Sequence, residues 1–234
     1  MELLRKKNFY QAITIFIWFA FISITLITGK LQIYINRRFF PFTILASFLL
    51  LIMLFIKIKR FKKEGSEMAG IISTLSFLIF LFPVLLAIVV RPDNLPVLAA
   101  AKRGISQAFT GGDIKEILQA QLETEGKYKK LNIKQLLTLA KNKPEEIDGK
   151  DISVEGFVLK NQDTEKFTLV RFLITCCAAD ATPLGVDVEY TDTGKLKQNS
   201  WVKVYGRCSL TEGKATILAD EVKETQPPAN VYLY

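Results

Sequence analysis

Histidine is absent from all 234 residues. That removes imidazole metal ligands, imidazole general bases and every Ser-His-Asp or Cys-His nucleophile system at one stroke. Cysteine is scarce. The three present, Cys176, Cys177 and Cys208, are too few for a disulfide framework. A third scarcity is regional. Residues 1–90 carry 11 Lys and Arg against 3 Asp and Glu, whereas residues 91–234 carry 20 of each. The excess of +8, and with it the pI near 9.3, therefore belongs to the first 90 residues. The second part lacks the basic surplus that neutralises phosphates, which argues against nucleic acid as a partner.

What the first part has is apolar length. Twenty-two uncharged residues, 8–29, run between Lys7 and Lys30. At 1.5 Å per residue they reach roughly 33 Å, enough for a bilayer core and too long for a signal-peptide core. Uncharged runs also cover 39–56 and 68–90, the latter containing Pro83. Three membrane spans are therefore expected in residues 1–90, with the lipid bilayer as the first partner. Flanking charge sets the orientation. The loop "KIKRFKKEGSE" is the most basic segment. If it is cytoplasmic, so is the N-terminus, and everything after Arg91 lies outside.

Residues 91–147 read as a connector. Pro92 and Pro96 stop the last span, and "VLAAAKRGISQAF" and "DIKEILQAQLE" read as short helices, the second capped by Asp113. In "NIKQLLTLAKNKPEEIDGK", Asn132 is the expected cap, Ile133, Leu136, Leu137 and Ala140 form an apolar stripe, and Pro144 ends the helix. Such stripes are expected to pack on the next domain or on the membrane surface.

From 148 the period changes. "DISVEGFVLK", "KFTLVRFLIT", "LGVDVEYT", "SWVKVYGRCSL" and "KATILADEVKE" are five short strand patterns, with "TDTGK" and "TEGK" as turns and Gly156 and Gly206 as bends or bulges. Residues 148–234 are thus expected to form a small five-stranded OB-like β-barrel, an SH3-like barrel or split sandwich being the alternative. The fold class is α+β: a three-helix transmembrane region, short connecting helices and this barrel. The aromatic tail "PPANVYLY" is expected to tuck against the barrel.

Cys176 and Cys177 follow the second strand pattern. Neighbouring side chains in a regular strand point to opposite faces, so the pair acts as one unit only where the strand gives way to a loop. Four readings stand: buried small hydrophobes, a disulfide to Cys208, a soft metal site of Cys176, Cys177 and Asp180 or Cys208 taking zinc or copper, and a cycling vicinal dithiol. Arg171 favours thiolate if it faces the pair.

The segments "DGKDISVEGFV", "LVRFLITCCAADATPLGV" and "WVKVYGR" and the terminal "YLY" resemble the YcgQ-type family of bacterial membrane proteins. That resemblance implies the small subunit of a two-component permease, a larger multispan partner and a plasma-membrane location. It points to Arg171, Cys176, Cys177, Asp180 and Gly185, without assigning them roles. The expectation is a non-enzymatic, multi-pass accessory subunit. Its extracytoplasmic barrel would bind a ligand or metal, or regulate the permease. The alternative is a membrane-bound thiol redox or metal-chaperone protein, and beyond that a scaffold without a ligand.

Overall fold

The computed structural model describes residues 7–61, 71–89, 104–107, 124–160 and 165–234. The chain divides into two compact units. One is Met1–Asn94 with Cys176–Ala178; the other is Leu95–Thr175 with Ala179–Tyr234.

The first unit is helical. Helix α1 is Lys7–Ile27, α2 is Phe40–Phe61 and α3 is Ile71–Val89. Two short 3₁₀ turns join α1 to α2, and the Asn36 side chain accepts from the Arg38 N–H at 3.1 Å. The few polar side chains among the apolar ones find backbone or one another, as buried polar groups must. Trp18 Nε1 donates to the Phe80 carbonyl at 3.0 Å, Tyr34 Oη to the Ala87 carbonyl at 3.0 Å, and the Ser23 and Ser47 hydroxyls meet at 3.5 Å.

Among the described residues two helices, not the expected three, are long and apolar enough to cross a membrane: Tyr10–Ile27 and Arg37–Lys59. The second is longer than the expected 39–56 because helix continues through Lys59. The third run does form α3, with Pro83 inside it. Within the described residues only its Leu75–Val89 stretch counts as an apolar helix, and α3 itself, Ile71–Val89, runs to the edge of those residues. Residues 68–70 and 90 of the expected span lie outside the described residues, as do Pro92, Pro96 and the capping Asp113 with its helix. Residues 104–107, inside the first expected connector helix, are not helical, and Ser106 forms an isolated bridge with Leu184.

The second unit holds the sheet. Strands β1 (Thr124–Glu125) and β2 (Tyr128–Leu131) form a small hairpin, and helix α4 (Ile133–Asn142) follows. Then come β3 (Asp151–Lys160), β4 (Lys166–Leu173), β5 (Thr182–Glu189), β6 (Trp201–Thr211) and β7 (Lys214–Glu224). The last five coincide with the five patterns read from the sequence. They close on themselves. β3 pairs with β4, β4 with β5, β5 with β7, β7 with β6, and β6 returns to β3 over Asp151–Phe157. All these pairings are antiparallel except β5 with β7. The β1–β2 hairpin was not legible: its strands are too short and too lysine-rich to show alternation.

Helix α4 is cut as expected. Asn132 accepts from the Gln135 N–H and Gln135 Oε1 from the Asn132 N–H, both at 2.9 Å, a complete capping box. Its stripe, Ile133, Leu136, Leu137, Leu139 and Ala140, joins the core with Ile152, Val154, Phe167, Leu169, Val186, Val204 and Ile217.

The two glycines differ. Beside Gly206, where a bend was expected, the β6–β7 register shifts, with Asp220 of β7 as the extra residue. At Gly156 the register runs unbroken. A Cβ there would stand 2.8 Å from the Val170 carbonyl oxygen, so this glycine serves close approach rather than a bulge. A Cβ at Gly206 would sit 2.2 Å from the Leu218 carbonyl oxygen and 2.8 Å from Ala219 Cα. Neither backbone atom can rotate away. Gly206→Ala is therefore expected to cost about 2–3 kcal/mol, read as a lowered thermal midpoint of barrel unfolding. An unchanged midpoint would show that the β6–β7 backbone yields.

Candidate functional site

The motif residues around Cys176 are placed by the end of β4. That strand stops at Leu173, and the chain turns through a 3₁₀ segment at Ala178–Asp180 before β5 begins at Thr182. Asp180 Oδ1 accepts from the Thr175 N–H at 3.0 Å and closes this turn. Its carboxylate thus has a local structural task.

Within the first unit, Cys176–Ala178 lies against the α1–α2 connection. The Cys176 carbonyl accepts from the Asn36 N–H at 3.0 Å, the Ala178 N–H donates to the Tyr34 carbonyl at 2.9 Å, and Cys177 and Ile35 form an antiparallel bridge. The backbone is thereby held on both sides of the pair. The two thiols come to the same side. The Cys176 thiol donates to Cys177 Sγ at 3.6 Å, far beyond the roughly 2.05 Å of a disulfide. Cys176 is exposed and Cys177 half-buried.

Cys208 has a different fate. It lies on β6 with no exposed surface, among the apolar side chains of the barrel core. Burial, with Asp148 as a lesser cause, pushes its thiol from 9.0 up to about 12. It packs as a small hydrophobe. Among the described residues no three Cys, Asp or Glu side chains gather as a metal site.

Arg171 is on β4 and buried, at 7% exposure. Its Nη2 donates to the Asn230 carbonyl, and its guanidinium lies 5.5 Å from the centre of the Trp201 ring. Burial lowers its pKa. It serves the C-terminal segment, which docks as expected. Leu233 N–H donates to the Phe172 carbonyl at 2.8 Å, Ile174 N–H to the Leu233 carbonyl at 2.9 Å, and Lys134 Nζ to the Tyr234 carbonyl at 2.6 Å. Tyr232 and Leu233 are buried.

Gly185 admits the 104–107 segment. Ser106 N–H donates to the Pro183 carbonyl at 3.0 Å, and Gly185 N–H to the Ser106 carbonyl at 3.1 Å. Gln107 Nε2 reaches Asp187 Oδ2 at 2.8 Å, and Thr168 Oγ1 reaches Asp187 Oδ1 at 2.9 Å. A Cβ on Gly185 would lie 2.4 Å from Ile105 Cγ2. Asp187, Asn230 and Trp201 went unnoticed as partners, because nothing in their spacing marks them.

Residues 11–106 match the family model of the DUF1980 N-terminal domain, and residues 115–234 that of the DUF1980 C-terminal domain. No curated protein matches the chain. Among solved structures, the hypothetical protein ygiW from E. coli is similar over 33% of this chain and 77% of its own, at 8% identity and a TM-score of 0.25. The OBody AM1L10, bound to hen egg-white lysozyme, is similar over 35% of this chain and 83% of its own, at 15% identity and a TM-score of 0.25. No property of either transfers to this chain.

The contrast between the cysteines is measurable. The thiolate is the form that alkylates. Iodoacetamide at about pH 8 is expected to modify Cys176 in the folded protein and to spare Cys208 until the barrel unfolds. Peptide mass spectrometry reads both. Equal labelling of the two would contradict the burial described above.

Proposed function

The chain belongs to the DUF1980 family, and from that premise we propose that it is a membrane-anchored, non-enzymatic accessory subunit of a permease. The observation that carries the proposal is the uncovered apolar surface of the helices. No apolar side chain described in Arg37–Lys59 is buried, and Phe42, Phe48 and Phe55 are each more than half exposed. Water would not tolerate such a surface on a lone helix; lipid or partner helices would cover it. The basic residues Lys30, Arg37 and Arg38, and beyond them Lys57 and Lys59, bracket the apolar runs as anchoring residues do.

In this reading the helical unit inserts in the plasma membrane of a bacterium, and α3 adds a third, shorter pass. The strand order of the barrel, with its single parallel closure, is that of the OB type, and the barrel lies outside the cytoplasm. The resemblance to the YcgQ-type small subunit supports a larger multispan partner. The absence of histidine from the sequence, and among the described residues of three Cys, Asp or Glu side chains gathered together, supports a role in binding or regulation rather than catalysis.

The first test is topology. A reporter active only in the periplasm or outside the cell, fused after Tyr234, is expected to be active; activity only from a cytoplasm-dependent reporter reverses the orientation. The second is association. Gentle solubilisation at native expression is expected to bring down a multispan protein with this chain. Recovery in the soluble fraction after cell breakage would remove the anchor, and recovery as a lone membrane protein would remove the permease.

A further inference from the structure

We propose that Cys176 and Cys177 form a two-thiolate site for a soft monovalent metal cation of the Cu⁺ class. The proposal goes beyond the accessory-subunit reading and stands without a permease partner. Three observations carry it.

The first is geometry. Adjacent cysteines ordinarily diverge, yet here the sulfurs lie 3.6 Å apart. At a metal–sulfur distance of about 2.3 Å, one ion bonded to both would see them at an angle of about 100°. That angle is the one a three- or four-coordinate ion presents, so the pair supplies two ligands of such a shell and an external thiol or water at the exposed Cys176 side completes it. The second is preorganisation. The bonds of Asn36 N–H to the Cys176 carbonyl and of Ala178 N–H to the Tyr34 carbonyl fix the tripeptide. Less ordering then remains to be done on binding.

The third is the donor set. Zinc is held by four ligands in structural sites and by three plus water in catalytic ones. Among the described residues no third carboxylate or thiol completes such a group. Cys208 is shut in the core, and Asp180 already closes the turn at Thr175. Two soft sulfurs suit a soft monovalent ion, which accepts a pair of thiolates as most of its shell and takes an external soft ligand for the rest. Each thiol gives up its proton to water as the ion enters, so two protons leave for one cation bound and no electron moves. Because Cys176 is exposed, the ion can pass to another thiol ligand by exchange. The site therefore suits transfer better than permanent structural use.

The test uses the full chain in detergent micelles, reduced and kept without oxygen. Cu⁺ is titrated in competition with bicinchoninate. One tightly held Cu⁺ per chain is expected. The double variant Cys176→Ser/Cys177→Ser, which retains Cys208, is expected to release it at a chelator concentration lower by about a hundredfold or more, since the second thiol acts as an intramolecular donor. Each single variant should lose most of the same advantage, with circular dichroism unchanged. One equivalent of Cu⁺ should also shield the Cys176–Cys177 peptide from alkylation, while equimolar Zn²⁺ should not. If the double variant holds Cu⁺ as firmly as the parent, or if Zn²⁺ displaces Cu⁺ at equal concentration, the proposal is wrong. Neither result depends on where the protein sits in the cell, so this failure is separate from that of the membrane reading.

Discussion

The barrel depends on one strand serving different neighbours along its length. β3 pairs with β6 from Asp151 to Phe157, but its other edge is divided. Its second half, from Phe157, takes β4, while Ile152–Val154 takes β2 in parallel. A strand edge left bare would offer unpaired amides to any passing chain. The β1–β2 hairpin fills the stretch that β4 has left. Gly156 lies between the two regimes, where a side chain would strike the Val170 carbonyl. Closure, edge protection and the small residue at the crossing are thus one constraint. The hairpin is secured by side chains too: Glu125 accepts from Lys203 Nζ and from Tyr205 Oη, both on β6. Those two hydrogen bonds lower the Glu125 pKa.

How much of this could be read beforehand follows from how local each cause is. The five barrel strands carried alternating apolar residues and turn chemistry, and their limits were close to those observed. Helix α4 was legible because Asn132, its stripe and Pro144 are all written within a dozen residues. The hairpin was not legible, since a two-residue strand has no period. The third span rests on apolar composition alone; among the described residues it gives α3, Ile71–Val89, and the ends of the expected run lie outside them. Gly156 and Gly206 looked alike on paper. Both admit a close backbone approach, but only Gly206 faces a register shift, and the partner strand decides that.

The site was legible as residue types and opaque as partnerships. Arg171, Asp180 and Gly185 were singled out beside the cysteines, and each has a task that lies elsewhere. Arg171 pins the C-terminal segment through Asn230 and Trp201. Removing a buried charge's partners is costly, so the guanidinium adds to the main-chain bonds of Leu233 in docking the tail. Asp180 closes a turn, and Gly185 makes room for the 104–107 segment. The cysteines of the pair and Cys208 part company in the same way. Burial turns Cys208 into packing, and a thiol pushed up to about 12 brings no thiolate to any chemistry near neutrality.

Subtracting the residues with structural duties leaves Cys176 and Cys177. Their backbone is well tied, but no apolar core claims the exposed Cys176 sulfur. A buried thiol could be explained by volume alone, and two diverging thiols by chance. Two sulfurs turned to one side of a backbone tied by main-chain bonds, one exposed and one half-buried, fit neither explanation. Alanine or serine could make the same main-chain bonds, because those bonds use only the amide and carbonyl groups. What distinguishes cysteine at these two positions is therefore the sulfur, which is the part of the pair that the proposed site uses.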